Sequence, residues 1–150
     1  MSGPRHYADD KIDISYDARR CIHAAECIRG LPAVFDNGRR PWILPSGASA
    51  DEIAKVIARC PSGALHFTRK DGGPAESPDE ETTVRVTADG PLYLRGHIEI
   101  RASDGSTIVE ETRAALCRCG HSHNKPFCDN SHRDVGFRDA GLPGGDVAQS

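Results

Sequence analysis

Apolar and polar residues alternate in two stretches that lie far apart in the chain. In the first half, residues 11–16 alternate and predict a half-buried strand. Ser49 and Glu52 lie three residues apart, as in a capping box, and predict a helix over residues 51–59. Residues 64–68 are expected to return as a second strand. The apolar face of the helix would consist of Ile53, Val56 and Ile57.

The second half repeats the alternation between residues 82 and 116, with glycine-containing turns between the apolar segments. This pattern predicts a small antiparallel unit of three or four strands. Residues 71–81 lack apolar periodicity and are rich in Gly, Pro and acidic side chains, so they predict a linker. We therefore expect an α+β protein, with one module over residues 1–70 and a mainly antiparallel β module over residues 82–137. Residues 138–150 contain Gly-Gly and no apolar run, and they predict a disordered tail.

Composition adds that neither module can rely on a large apolar core. The chain is 37% hydrophobic and 5% aromatic, with 15 Gly and 10 Pro. Modules of this size are only marginally stable from apolar burial, so a bound metal would stabilise each of them. The net charge of −3 and the lack of a basic run exclude nucleic acid as the main partner. There is no apolar membrane span or secretory signal, and we expect a cytoplasmic protein.

Six cysteines in a chain without an export signal are typical of metal ligands rather than disulfides. Three of them fall near the C-terminal end, at Cys117, Cys119 and Cys128, followed by His132. Thiolates together with an imidazole suit zinc or iron. Cys117 and Cys119 would point to the same side of a strand, and a helix starting near Asp129 would bring Cys128 and His132 onto one face. His121 and His123 are competing ligands, but they lack this helical offset.

The pattern from Cys117 to His132 resembles the CDGSH (NEET-type) iron–sulfur motif. It matches at every fixed position except Asn130, where the family usually has Gly. The resemblance implies that Cys117, Cys119, Cys128 and His132 hold a 2Fe-2S cluster. The alternative is a structural zinc site, although zinc ligand pairs are usually separated by two to four residues rather than one.

The N-terminal cysteines, Cys21, Cys27 and Cys60, resemble a bacterial ferredoxin motif that has lost one ligand. Ala24 stands where the second Cys of the motif would be, and Pro61 follows the distant Cys as it does in ferredoxins. The segment looks like a divergent mono-cluster ferredoxin domain of the 4Fe-4S type. Three thiolates would hold a 3Fe-4S cluster, or a 4Fe-4S cluster whose fourth iron takes water or a nearby side chain. The candidate side chain is His23, and its alternative role is that of a surface histidine.

The sequence contains no hydrolytic triad, phosphate-binding loop or paired carboxylates, so we do not expect an enzyme. The resemblances imply one-electron transfer or redox sensing with an unidentified redox partner. Cluster storage, with delivery to an apo-acceptor protein, is an alternative, and a zinc-stabilised interaction module is a third. The sequence leaves the oligomeric state open and is compatible with a homodimer. Four cations flank the cysteines and would stabilise a negatively charged cluster, namely Arg19, Arg20, Arg118 and Lys125.

Overall fold

The computed structural model describes residues 3–144 and divides the chain into two compact units, Met1–Ser77 and Pro78–Ser150. The division falls inside the segment 71–81 that the sequence predicts to be a linker. Both units combine one antiparallel three-stranded sheet with short helices. The predicted α+β fold class is therefore confirmed.

The first unit is a three-stranded antiparallel sheet covered by one amphipathic helix. Strand order in the sheet is β1-β2-β3. The core consists of apolar residues from β2, from α2 and from the loop between α1 and α2, among them Ile12, Ile14, Phe35, Ile43, Ile53 and Ile57. The elements are β1 (Arg5–Ala8), β2 (Ile12–Tyr16), α1 (Glu26–Gly30), a 3-10 helix (Pro45–Gly47), α2 (Ala50–Ile57) and β3 (Leu65–Arg69).

Helix α2 begins as its sequence predicts. The Ser49 hydroxyl accepts a hydrogen bond from the Glu52 backbone N–H (3.1 Å), and the Glu52 carboxylate accepts one from the Ser49 N–H (3.1 Å). These reciprocal bonds form the capping box, and the predicted apolar face is buried. Strand β1 was not predicted, because its residues are mostly exposed and carry no apolar alternation.

The second unit is an antiparallel meander followed by one turn of helix. It contains β4 (Thr83–Val86), β5 (Leu92–Arg101), β6 (Thr107–Leu116) and α3 (Ser131–Asp134), with strand order β4-β5-β6. The register between β5 and β6 shifts after Arg95, at Gly96, whose φ is 128°. A Cβ at position 96 would lie 2.6 Å from the Thr82 Cα, so this close approach requires glycine.

Residues at both ends of the predicted linker belong to their own units. In the first unit, a Glu76 carboxylate oxygen lies 2.7 Å from the His66 Nδ1, and the other accepts from the Phe67 N–H (3.1 Å). In the second, Asp79 accepts from the Arg95 Nε at 2.8 Å. Among residues 3–144, the structure contains no helix with the length and apolar character needed to cross a membrane.

The segment after α3 contacts the loop between β4 and β5 as far as the structure describes it. Asp139 and Asp89 are joined by two hydrogen bonds, from the Asp89 N–H to the Asp139 carbonyl (2.7 Å) and from the Asp139 N–H to the Asp89 carboxylate (2.8 Å). The partner lies fifty residues away, so composition alone did not indicate it. The rest of the predicted tail, residues 145–150, lies outside the described residues.

Candidate metal centres

The C-terminal cysteines meet because a short segment pairs with the end of β6. The Cys117 N–H donates to the Pro126 carbonyl (2.8 Å), and the Cys128 N–H donates to the Ala115 carbonyl (2.8 Å). Leu116 and Phe127 form an antiparallel bridge between these two bonds. Cys128 is thereby held beside the turn that carries the other two thiols.

Cys117 directly follows the end of β6 and Cys119 lies in a bend, so the two thiols are not on a strand. Their Sγ atoms are nevertheless only 3.8 Å apart. The chain turns at Gly120, whose φ is 83°. Burial would raise the pKa of the Cys117 thiol, but backbone hydrogen bonds from Ser122 and Gly120 outweigh it and lower that pKa. These N–H groups favour the thiolate, which is the form that binds metal.

Cys128 and His132 face each other, as their spacing of four predicts. The Cys128 Sγ lies 3.6 Å from the His132 Nδ1. Helix α3 begins two residues after Asp129, at Ser131, and Asn130 occupies its N-cap position. The Asp129 carboxylate instead bridges two backbone groups, accepting from the His123 N–H (2.8 Å) and the Ser131 N–H (3.0 Å).

Asn130 adopts a left-handed backbone conformation with φ of 72°. Glycine enters this region without steric cost, and Asn is among the few other residues that adopt it readily. The Asn130 N–H also donates a hydrogen bond to the Cys128 Sγ (3.4 Å). The departure from the Gly of the CDGSH pattern therefore preserves the local backbone.

The two competing histidines are directed elsewhere. His121 is exposed, and its Nδ1 lies 2.9 Å from the Cys119 carbonyl oxygen. The His123 side chain is 89% exposed and lies 3.4 Å from Asp129. By contrast, burial lowers the pKa of His132 and favours the neutral imidazole that a metal ligand requires.

Arg118, between two candidate ligands, holds the loop that covers His132. Its guanidinium donates to the carbonyls of Gly90 (2.8 Å) and Thr87 (2.7 Å) and lies 3.1 Å from the Asp139 carboxylate. Gly90 is buried against the His132 ring, since a Cβ at position 90 would lie 3.7 Å from the His132 Nε2. The predicted flanking cation therefore acts through hydrogen bonds as well as charge.

The three N-terminal cysteines line one cavity, together with His23. Cys21 lies in the loop after β2, and Cys27 lies on α1. Cys60 lies just after α2, and its N–H donates to the Ile57 carbonyl at the end of that helix (3.0 Å). Burial raises the pKa of Cys27 to about 11, and the negative charges of Cys60 and Cys21 contribute to the same shift. The thiols thus lie close enough for their anions to repel one another, and a cationic iron cluster would relieve this repulsion.

His23 lies beside this cavity in a left-handed conformation, with φ of 57°. Its Nδ1 is 3.9 Å from the Cys21 Sγ, and the residue is exposed. Arg20 is buried and donates to the Ser62 carbonyl (2.7 Å), while the Ser62 hydroxyl lies 3.6 Å from the Cys60 Sγ. Arg20, one of the predicted cations, is therefore hydrogen-bonded to the segment that carries the candidate ligand Cys60.

Two family models match the chain, and together they cover both sites. The model described as a divergent 4Fe-4S mono-cluster matches residues 7–70, and the model described as an iron-binding zinc finger of CDGSH type matches residues 89–133. Each of the two domains therefore matches one of these families. The chain is an iron–sulfur-binding protein with two different domains, as the two motif resemblances predicted.

Two curated relatives are similar to part of the chain. Uncharacterized protein YjdI of Escherichia coli strain K12 is 40% identical to this chain over 68 residues, which is 45% of this chain and 90% of the relative. YjdI of Escherichia coli O157:H7 matches with the same identity and the same coverage.

Tyr16 and Trp42 complete the wall of the mono-cluster site and were missed in the sequence. Both line the cavity that holds the thiols, and their rings pack edge to face with centroids 4.9 Å apart. Burial and a hydrogen bond with Cys21 raise the pKa of Tyr16. The available signal was weak: an aromatic residue five positions before Cys21, and the chain's one tryptophan in a short apolar run.

Proposed function

We propose that the CDGSH domain holds a 2Fe-2S cluster through Cys117, Cys119, Cys128 and His132, and that the mono-cluster domain holds a 3Fe-4S or 4Fe-4S cluster through Cys21, Cys27 and Cys60. The protein would then act in one-electron transfer or redox sensing in the cytoplasm, with a redox partner, and not as an enzyme. A bound cluster of either kind takes up and releases single electrons.

The pairing of the C-terminal ligands carries this proposal. Cys117 and Cys119 form one close pair (3.8 Å), and Cys128 and His132 form another (3.6 Å). A dinuclear cluster needs two ligands on each iron, whereas a structural zinc site needs four ligands around a single ion. The arrangement therefore fits the dinuclear cluster better than zinc.

The N-terminal site supports a cluster with one irregular corner. Three thiols surround the cavity, and His23 is the nearest imidazole, with its Nδ1 3.9 Å from the Cys21 Sγ. His23 would be the candidate ligand of the fourth iron of a 4Fe-4S cluster, and otherwise water would occupy that position. Ala24→Cys restores the fourth thiol of the ferredoxin pattern and should therefore favour a stable 4Fe-4S form.

Cluster delivery to an apo-acceptor is a second candidate, favoured by the position of His132. Its ring is only partly buried, and protonation of its ligating nitrogen would release one of the four ligands. Transfer of the 2Fe-2S cluster to an apo-ferredoxin would have to be faster than spontaneous cluster loss for this function to hold. Slower transfer, together with rapid electron exchange, would leave electron transfer as the function.

Metal analysis and EPR of the anaerobically purified full-length chain test the proposal. We expect two kinds of cluster, with about two irons and two acid-labile sulfides from the CDGSH domain in addition to those of the N-terminal site. One zinc per domain and no sulfide would instead establish a zinc-stabilised interaction module.

His132→Cys tests the C-terminal ligand assignment. A thiolate in place of a neutral imidazole adds negative charge, so the reduction potential should fall, and cluster loss in acid should become slower. His121→Cys is the matched control, because His121 faces a backbone carbonyl, and it should change neither property. An unchanged potential and acid sensitivity in His132→Cys would show that another residue is the ligand.

A further inference from the structure

An open groove of about 1200 Å³ runs along the outside of the mono-cluster domain. Cys21, His23 and Cys27 lie on its wall, and the same residues also line the cavity that holds the three thiols. The groove therefore leads from solvent to two of the candidate cluster ligands.

The groove is positively charged, although the chain as a whole carries a net charge of −3. Three exposed arginines from three different segments line it, namely Arg5, Arg19 and Arg40, against the single carboxylate of Asp17. Arg40 Nη1 donates to the backbone carbonyls of Asn37 (3.1 Å) and Arg39 (2.8 Å), which position the guanidinium without neutralising its charge.

Aromatic side chains line the groove together with the arginines and the thiols. Tyr7, Tyr16 and Trp42 line the groove, and Tyr16 hydrogen-bonds with Cys21. Aromatic residues and arginine are enriched at the centres of protein–protein interfaces. The wall thus combines apolar contact area with fixed positive charge directly beside the cluster ligands.

We propose that this groove is the docking surface for an acidic face of a protein that exchanges one electron with the mono-cluster site. The inference rests on the proposed electron-transfer function and names the partner's chemistry: a protein-bound one-electron carrier surrounded by Asp and Glu. The groove is larger than most small-molecule pockets, and its cations are spread over three chain segments. Complementary charge raises the rate of encounter and orients the two proteins.

Two small one-electron oxidants of opposite charge test whether the charge of the groove controls electron transfer from the N-terminal cluster. The reduced full-length protein is mixed with tris(oxalato)cobaltate(III), an anion, or hexaamminecobalt(III), a cation. The EPR signal of the N-terminal cluster in rapidly frozen samples follows its oxidation, so electrons that leave the other cluster are not counted. The measured quantity is the rate of oxidation by the anion divided by the rate of oxidation by the cation. We expect this rate ratio to fall by about tenfold or more as ionic strength rises.

Arg5→Gln/Arg40→Gln should reduce the same rate ratio at low salt by at least about threefold. Arg59→Gln/Arg101→Gln is the matched control, since it removes two exposed positive charges that do not line the groove, and its ratio should stay at the wild-type value. Equal ratios in all three proteins would overturn the docking surface while leaving the cluster function intact. If neither oxidant reacts with the N-terminal site, the proposed electron-transfer function itself fails.

Competition distinguishes a protein face from a small anion. Decaglutamate should slow the anionic oxidant with the wild-type protein and have at least about threefold less effect on Arg5→Gln/Arg40→Gln. Inorganic phosphate at the same ionic strength should compete poorly. If phosphate competes as well as decaglutamate does, the groove is a small-anion site and the docking proposal is wrong.

Discussion

Replacing Arg118 should weaken the CDGSH domain without removing a candidate ligand. The guanidinium donates to the carbonyls of Gly90 (2.8 Å) and Thr87 (2.7 Å), and it pairs with the Asp139 carboxylate (3.1 Å). It also stands 4.9 Å from the centroid of the Phe137 ring. One side chain therefore joins the β4–β5 loop and the segment after α3 to the bend that carries two thiols.

The expected effect follows from these contacts. A hydrogen bond that involves a charged group contributes about 1.5–3 kcal/mol, and the partly exposed ion pair with Asp139 adds at most about 1 kcal/mol. Contributions from one side chain overlap, so we expect Arg118→Ala to lower the free energy of unfolding of the domain by about 3 kcal/mol. Gly90 lies against the partly buried His132, so movement of this loop would expose the ligand further. If cluster loss requires that opening, it should become up to roughly a hundredfold faster.

Urea unfolding and the decay of cluster absorbance at constant pH measure the two effects. Arg118→Lys keeps the charge but cannot bridge both carbonyls, and it should fall between wild type and Arg118→Ala. Arg138→Ala is the control, because the Arg138 side chain is 80% exposed and its Nη1 lies 4.0 Å from the Asp89 carboxylate, too far for a hydrogen bond. If Arg118→Ala matches Arg138→Ala in both measurements, the loop does not protect His132.

Three further predictions concern single features. Burial lowers the pKa of His132, so the released imidazole takes up a proton more readily than the imidazole in the folded site. The stability of the site is therefore present above about pH 6.5 and is lost as the pH falls below that value. A rate of cluster absorbance decay that is constant between about pH 8 and pH 5 would contradict this. Asn130→Ala should destabilise the domain by about 1 kcal/mol and Asn130→Gly should not, as measured by thermal unfolding, because φ is 72°. Ser49→Ala removes the capping box and should cost the first unit about 1 kcal/mol, while the spectrum of the CDGSH cluster stays unchanged.

The sequence predicted best what local interactions decide. Ser49 and Glu52 form their capping box within four residues, and the apolar face of α2 follows from its spacing. Cys128 and His132 meet because of their four-residue offset. In each case the residues that determine the structure are near neighbours in the chain, so the pattern contains the information.

Long-range contacts decide what the sequence did not predict. Strand β1 has few apolar residues and exists through its pairing with β2. Arg118 donates to carbonyls that lie 28 and 31 residues away in the sequence. Asp139 is hydrogen-bonded to Asp89, which lies 50 residues away. The sequence predicts a helix start near Asp129, and the structure has Asn130 as the N-cap, because either side chain suits a helix start and only the surrounding loop decides between them.

The two sites differ in how far the protein prepares its thiols for metal. At the CDGSH site, backbone N–H groups point at sulfur, with the His121 N–H 3.4 Å from the Cys119 Sγ and the Asn130 N–H 3.4 Å from the Cys128 Sγ. At the mono-cluster site, burial and mutual repulsion raise the pKa of Cys27 to about 11, so this thiol is protonated at neutral pH when no metal is bound. Metal binding at Cys27 must therefore displace a proton, whereas Cys117 already favours its thiolate. Burial also raises the pKa of the Cys128 thiol, so metal binding displaces a proton there as well, and the difference between the two sites lies in Cys117, whose thiolate the backbone N–H groups stabilise.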